Sequence, residues 1–198
     1  MIFSRLKSGV DVTDDDFDAI YSSQVKKISE FHFTPVEVAK TAAQFLVNRP
    51  STKVLDVGSS AGKFCMVGAA CTDGVFTGVE QRQSLFEVSD LLSKEYNLEN
   101  TRFLHSNITE IEFCDFDAVY YFNAFYENVF PKDPIDHSIE LDKMLYEIYN
   151  QHMKAQLSKM PIGTRLATYF SYAHEVPSHF KVQSTGFDGK LKLWEKIA

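Results

Sequence analysis

The run Val54-Leu55-Asp56-Val57-Gly58-Ser59-Ser60-Ala61-Gly62-Lys63 constrains this chain more than any other. Its first four residues read as a buried strand, its two glycines mark a tight turn, and the apolar stretch from Gly62 to Cys71 reads as a helix. A strand entering a helix through so short a turn is the opening of a parallel βα unit. The pattern then repeats. Strands are expected at 75–80, 101–105, 116–122 and 165–170, and helices at 83–96 and 138–158. Asp188-Gly189 separates two further strand-like runs, 180–187 and 190–197, as a hairpin. The fold class is therefore α/β: a doubly wound seven-stranded sheet, closed at one edge by a C-terminal antiparallel hairpin and preceded by N-terminal helices.

The N-terminal helices carry start signals. Thr13 with Asp16 forms one, and Thr34-Pro35-Val36-Glu37 reads as a second capping box, ending near Val47 before Asn48-Arg49-Pro50. Residues 1–50 read as a helical cap and 51–198 as one cofactor-binding unit. The acidic run Asp14-Asp15-Asp16 with Asp18 is accounted for by an exposed helix start, and Lys63 reads as a solvated residue of a first helical turn.

In a doubly wound sheet a ligand lies beyond the carboxyl ends of the strands, where the 56–62 turn falls. A phosphate-binding P-loop needs four residues between its glycines and a hydroxyl after its lysine; here three residues separate Gly58 from Gly62, and Phe64 follows Lys63. A dinucleotide fingerprint needs glycines where Ser60 and Lys63 stand. A donor without phosphate, S-adenosylmethionine, asks instead for small residues in the turn, an acid beside it, and a second acid at the end of the next strand to accept a ribose diol. Asp56, the Gly58–Gly62 turn and Glu80 supply these.

On these residues the sequence resembles class I S-adenosylmethionine-dependent methyltransferases, over about residues 31 to 198. Asp56 to Gly62 resembles the first motif, Val79-Glu80 the second, Ser106-Asn107-Ile108 the third, and Phe122-Asn123-Ala124-Phe125 the segment after strand four. A narrower likeness points to non-SET histone lysine methyltransferases and their bacterial relatives. The resemblance implies S-adenosyl-L-methionine as cofactor, held by Thr34, Asp56, Gly58, Ser59, Ser60, Gly62, Glu80, Gln81, Asn107, Ile108 and Asn123. It implies Asn123 and Tyr126 as the catalytic residues, from the first and fourth positions of an Asn-Pro-Pro-Tyr-like motif whose prolines this chain lacks. Ser60 stands where the family has a glycine, and a tolerable backbone angle is expected there. Asn107 replaces an Asp and can accept a hydrogen bond from an adenine amino group through its oxygen.

The aromatic cluster Tyr120, Tyr121, Phe122, Phe125, Tyr126 and Phe130 reads as core, with a cation-holding cage as the alternative. The reading is an enzyme that methylates nitrogen of a small molecule or a protein side chain; its alternative is a non-catalytic binding module on the same fold. A net charge of −7 without a dense Lys/Arg cluster disfavours nucleic acid as a partner. Three cysteines without a C-x-x-C pair, no leader-like N-terminus and no long apolar run lead to an expectation of cytoplasmic location, no membrane span and no disulfide framework. No histidine spacing suggests a metal, and nothing signals an oligomeric state.

Overall fold

The computed structural model describes residues 1–130 and 134–198. Four helices come first: α1 (Ile2–Lys7), α2 (Asp14–Asp18), α3 (Ser23–His32) and α4 (Val36–Leu46). Then follow β1 (Lys53–Val57), α5 (Lys63–Cys71), β2 (Val75–Glu80), α6 (Gln83–Glu95), β3 (Thr101–His105), β4 (Ala118–Phe122), α7 (Lys143–Lys159), β5 (Arg165–Tyr169), β6 (Phe180–Gly186) and β7 (Leu191–Lys196). The strands form one seven-stranded sheet in the order β3-β2-β1-β4-β5-β7-β6. The first five are parallel, and β7 runs antiparallel between β5 and β6. The order reverses between β1 and β4, so the turns after these strands flank the topological switch point.

Strand periodicity sorts the core onto two faces. Val54, Ala118 and Tyr120 pack under α4 and α5, whereas Leu55, Val57, Val119 and Tyr121 pack under α7. On α7 the stripe Leu141, Met144, Leu145, Ile148 and Met153, read from the sequence as the inward side, is only partly buried. Met153 is buried and Leu145 packs against the core, Met144 and Ile148 are exposed, and Tyr146, Tyr149 and Leu157 also face the sheet. The tyrosines bury their rings because their hydroxyls find partners: Tyr146 donates to Glu175 Oε1 at 2.8 Å, and Tyr149 accepts from Asn107 at 3.0 Å. On α6, Ser89 takes an inward place and Leu91 is exposed.

The N-terminal region departs from its expected form. The 13–30 segment, whose apolar positions Phe17, Ile20, Tyr21, Val25 and Ile28 read as one helix, is two helices, and α1 lies ahead of them. The Thr13–Asp16 capping box is present, but the one expected at Thr34 is not. Thr34 Oγ1 instead meets the Tyr120 hydroxyl at 2.9 Å, and the Val36 N–H that needs a cap donates to Asp14 Oδ1 at 2.9 Å.

Asp14 and Asp18 do more than begin a helix. Lys63 is only 3% exposed, and its Nζ pairs with Asp14 Oδ1 at 2.7 Å and Asp18 Oδ1 at 2.8 Å. The solvated lysine expected at this position is thus a buried cation that ties α2 to the first turn of α5. Lys63 sits at the head of a helix whose other side chains are almost all apolar and buried, so its charge requires partners from elsewhere in the chain. The Tyr21 hydroxyl adds a second tie, donating to the Ala61 carbonyl at 3.1 Å.

Removing both carboxylates leaves the Lys63 cation buried without compensation. The double variant Asp14→Ala/Asp18→Ala is expected to lose about 3–5 kcal/mol. Thermal unfolding should show this as a midpoint lower by roughly 6–20 °C.

Candidate active site

The turn between β1 and α5 folds back onto the end of β2. The Gly58 and Ser59 N–H groups both donate to the Val79 carbonyl, at 3.0 and 2.9 Å, and the Gly62 N–H donates to the Ser59 carbonyl at 2.8 Å. The Ser60 N–H donates to Glu80 Oε2 at 2.9 Å, and the other Glu80 oxygen accepts from the Arg82 N–H at 2.8 Å. These four amides are therefore committed inside the protein and are not offered to a phosphate, which needs several converging free amides. Each Glu80 oxygen keeps one lone pair after its backbone bond, which is what a vicinal diol requires.

The turn borders a cleft at the topological switch point, the place where doubly wound sheets bind their ligands. Thr34, Asp56, Gly58, Ser59, Ser60, Glu80, Gln81, Asn107, Ile108 and Asn123 all line it. Gly62 does not. Its φ of +82° makes the turn, and a Cβ there would lie 2.6 Å from Phe103 Cζ, so it serves helix-to-sheet packing. Gly58, at φ +75°, is needed for close approach as well, since a Cβ would lie 2.6 Å from that of Ala124 across the cleft floor. Tyr126 lines an adjoining hollow together with Asn123.

Two expectations about the family's departures need correction. Ser60 has φ +49°, so the position does require the left-handed region and the serine carries strain there. The Asn107 oxygen accepts from both the N–H and the hydroxyl of Thr109, at 3.0 and 2.9 Å, while its amide reaches Tyr149. Both oxygen lone pairs are thus in use, and Asn107 borders the cleft as a turn-former rather than as an open acceptor.

Burial shapes the acids. Asp56 is enclosed, accepts a bond from the Cys65 thiol at 3.3 Å, and has its pKa pushed up to about 7 by desolvation. Burial also raises the pKa of Glu80, opposed by the Arg82 and Ser60 N–H bonds and the Arg82 charge. Arg82, which sequence reasoning passed over, is buried. Its guanidinium binds Glu127 Oε2 at 2.9 Å and Asp136 Oδ1 at 3.0 Å, joining the cofactor strand to the chain after β4. At the end of β4, Asn123 has φ +43° and a buried Oδ1 with no hydrogen-bond partner. A polar atom kept buried and unpaired costs free energy unless a ligand supplies the partner.

No protein-family model matches the sequence, and no curated protein matches it. Solved structures do match. A methyltransferase from Geobacter sulfurreducens aligns with a TM-score of 0.65 at 8% identity, over 98% of this chain and 94% of that one. TrmN from Thermus thermophilus aligns at 0.60 and 15% identity over 86% of this chain. An RNA methyltransferase from Salinibacter ruber, in complex with S-adenosyl-L-homocysteine, aligns at 0.57 and 15% identity, over 83% of this chain and 93% of that one. The chain has the class I methyltransferase fold. It spans about half of TrmN, 52% of that chain.

The expectation against nucleic acid as a partner is corrected by these neighbours, since one chain of this fold is an RNA methyltransferase. Net charge was a poor guide because a recognition site responds to the local field at its own rim, not to the sum over the surface. Among the described residues no helix is long and apolar enough to cross a membrane, and no group of His, Cys, Asp and Glu could hold a metal ion.

Two variants test the turn and its acid. Ser60→Gly relieves the left-handed serine and should stabilise the protein by about 1 kcal/mol, a rise in melting temperature of roughly 2–4 °C. For Asp56, the folded pKa lies above the ordinary 3.8, so ionisation opposes folding. The cost is absent below about pH 4, grows as pH rises and is complete above about pH 7. Asp56→Asn should therefore melt several degrees above the parent at pH 8 and level with it at pH 4.

Proposed function

We propose that the protein is an S-adenosylmethionine-dependent methyltransferase that methylates a nitrogen atom of its acceptor. The observation that carries this is a cleft whose turn commits the Gly58, Ser59, Ser60 and Gly62 amides to internal hydrogen bonds and which reaches Asn123 Oδ1, unpaired among the described residues. Glu80 would hold the ribose hydroxyls, the small residues of the Gly58–Gly62 turn would accept the ligand against bare backbone, and Asp56 would attract its positive end. S-adenosylmethionine, when bound, supplies a methyl group already activated for displacement.

The protein's share is alignment, worth about 7–11 kcal/mol of barrier in favourable cases. Asn123 Oδ1 accepts an N–H from the acceptor and so orients the nitrogen lone pair, and the ring of Tyr126 bounds the acceptor side. We read residues 1–50 as a cap on the 51–198 unit. The ties from Tyr21 to Ala61 and from Lys63 to Asp14 and Asp18 support that reading. The fold shared with methyltransferases supports the activity, and the Salinibacter ruber protein's RNA substrate class brings nucleotides into consideration for this chain.

Ligand-dependent melting tests the proposal. At 100 times its dissociation constant, S-adenosylhomocysteine should add about 2.7 kcal/mol, or roughly 5–11 °C, while inorganic pyrophosphate leaves the midpoint unchanged. Glu80→Ala should abolish the shift; a variant that keeps full affinity would remove Glu80 from the site. A protein that does not respond to the ligand at millimolar concentration would overturn the methyltransferase reading.

A further inference from the structure

Beyond Asn123 the cleft continues into a hollow whose walls are aromatic. Phe31, Tyr126, Phe130 and Phe170 line it. Phe31 is 74% exposed, Phe130 50% and Phe170 46%. Phe31 and Phe170, large apolar rings exposed around one depression, cost hydrophobic free energy in the free protein, and such a patch marks a binding surface.

Phe170 is the informative member. It directly follows β5 and has φ +52°, a conformation in which a bulky residue is an outlier. Asn123, at the matching position after β4, is left-handed as well. Two adjacent parallel strands thus end in strained residues that line one hollow, the pattern expected where strain is kept for function.

The charges at the hollow select among occupants. An aromatic wall can hold an ammonium ion by cation–π attraction or a flat neutral ring by stacking. Among the described residues the carboxylate lining the hollow is Glu127, and both of its oxygens are already in use: one on Arg82 at 2.9 Å, the other on the Ile135 N–H at 2.7 Å. The Phe170 ring already carries a cation, with Lys190 Nζ 5.3 Å from its centroid. A second cation would meet repulsion from Lys190 and, among the described residues, no open carboxylate. A flat neutral ring meets neither penalty, and Lys190 beside the Phe170 ring suits a phosphate attached to it.

We infer that the acceptor is a nucleobase bearing an exocyclic amino group, stacked in the hollow walled by Phe31 and Phe170, with Asn123 Oδ1 accepting one amino N–H and a neighbouring phosphate directed toward Lys190. This rests on the methyltransferase reading above and deepens it. In the reaction the amino nitrogen gives its lone pair to the new N–C bond, sulfur keeps the pair of the S–C bond that breaks, and the nitrogen's surplus proton passes to water. No other reactant is required.

The test uses the full chain saturated with S-adenosylhomocysteine, whose own binding is measured first. Calorimetric titrations with AMP and CMP, with IMP and UMP as ring controls without the amino group, and with Nα-acetyl-lysine then read the hollow. AMP or CMP should bind about ten-fold tighter than its control, and Phe31→Ala and Phe170→Leu should each weaken it about ten-fold while leaving S-adenosylhomocysteine affinity intact. A single-stranded oligonucleotide that binds tighter than the mononucleotide assigns the base to a polymer, and equal binding assigns it to a free nucleotide; both support the inference. Preference for acetyl-lysine overturns it in favour of a cation cage. Binding of S-adenosylhomocysteine with no nucleotide response, or with Phe31 and Phe170 variants that behave as the parent, overturns it and leaves the cofactor assignment standing. A protein that binds no S-adenosylhomocysteine takes both readings down together.

Discussion

The hydrogen bonds that fold the Gly58–Gly62 turn onto β2 are the constraint on which the site depends. A loop at the head of a helix ordinarily offers free amides to an anion. Here the Val79 carbonyl takes two of them, the Ser59 carbonyl another, and Glu80 the amide of Ser60. The turn is thereby made rigid without a ligand, at the cost of its phosphate-binding capacity. Glu80 is central because it serves both sides: it fixes the turn through Ser60 and Arg82 and still presents lone pairs to the cleft. Loss of its carboxylate would loosen the turn as well as remove a contact.

The N-terminal helices are secured to the same turn by polar groups rather than by apolar packing alone. Lys63 immediately follows Gly62, and its ammonium is clasped by two acids from α2. Asp14 is shared further with the first amide of α4. One carboxylate therefore registers α2, α4 and the head of α5 together. Buried ion pairs contribute little net stability but penalise every arrangement in which a partner is missing. Their effect here is to fix where the N-terminal helices sit against the turn, which apolar contacts, being non-directional, would fix less sharply.

The sheet was legible because its central strands β1, β2, β4 and β5 are short, largely apolar runs bounded by turn residues, and the hairpin because Asp188-Gly189 permits its positive φ values. The residues that line the cleft were legible for the same reason: a topological switch point places Asp56, Gly58 and Glu80 by order alone. What the sequence hid was partnership across distance. The Thr34 hydroxyl had a plausible local role in capping, and its bond to Tyr120, 86 positions away, left no local mark. The Asn107 oxygen was assigned to a ligand when a residue two positions on, Thr109, could take it. The inward face of α7 was misread because tyrosines count as polar until their hydroxyls find partners. Lys63 was the recoverable case. A lysine leading the run Phe64-Cys65-Met66-Val67 cannot stay solvated if that helix is buried all round, and the only dense acidic run in the chain was available to pair with it.

Arg82 shows how the two halves of the site are joined. Its main-chain N–H holds Glu80, the acid assigned to the cofactor, while its guanidinium holds Glu127 and Asp136, which follow the strand carrying Asn123. The residue is itself buried, so its charge is compensated by those carboxylates and not by water. This has a consequence for the acceptor side. With Glu127 committed to Arg82 and to the Ile135 amide, the carboxylate that lines the aromatic hollow among the described residues is spent on architecture. The same guanidinium that orders the chain beyond β4 therefore compensates the Glu127 charge at the hollow, which favours the flat, uncharged acceptor proposed above.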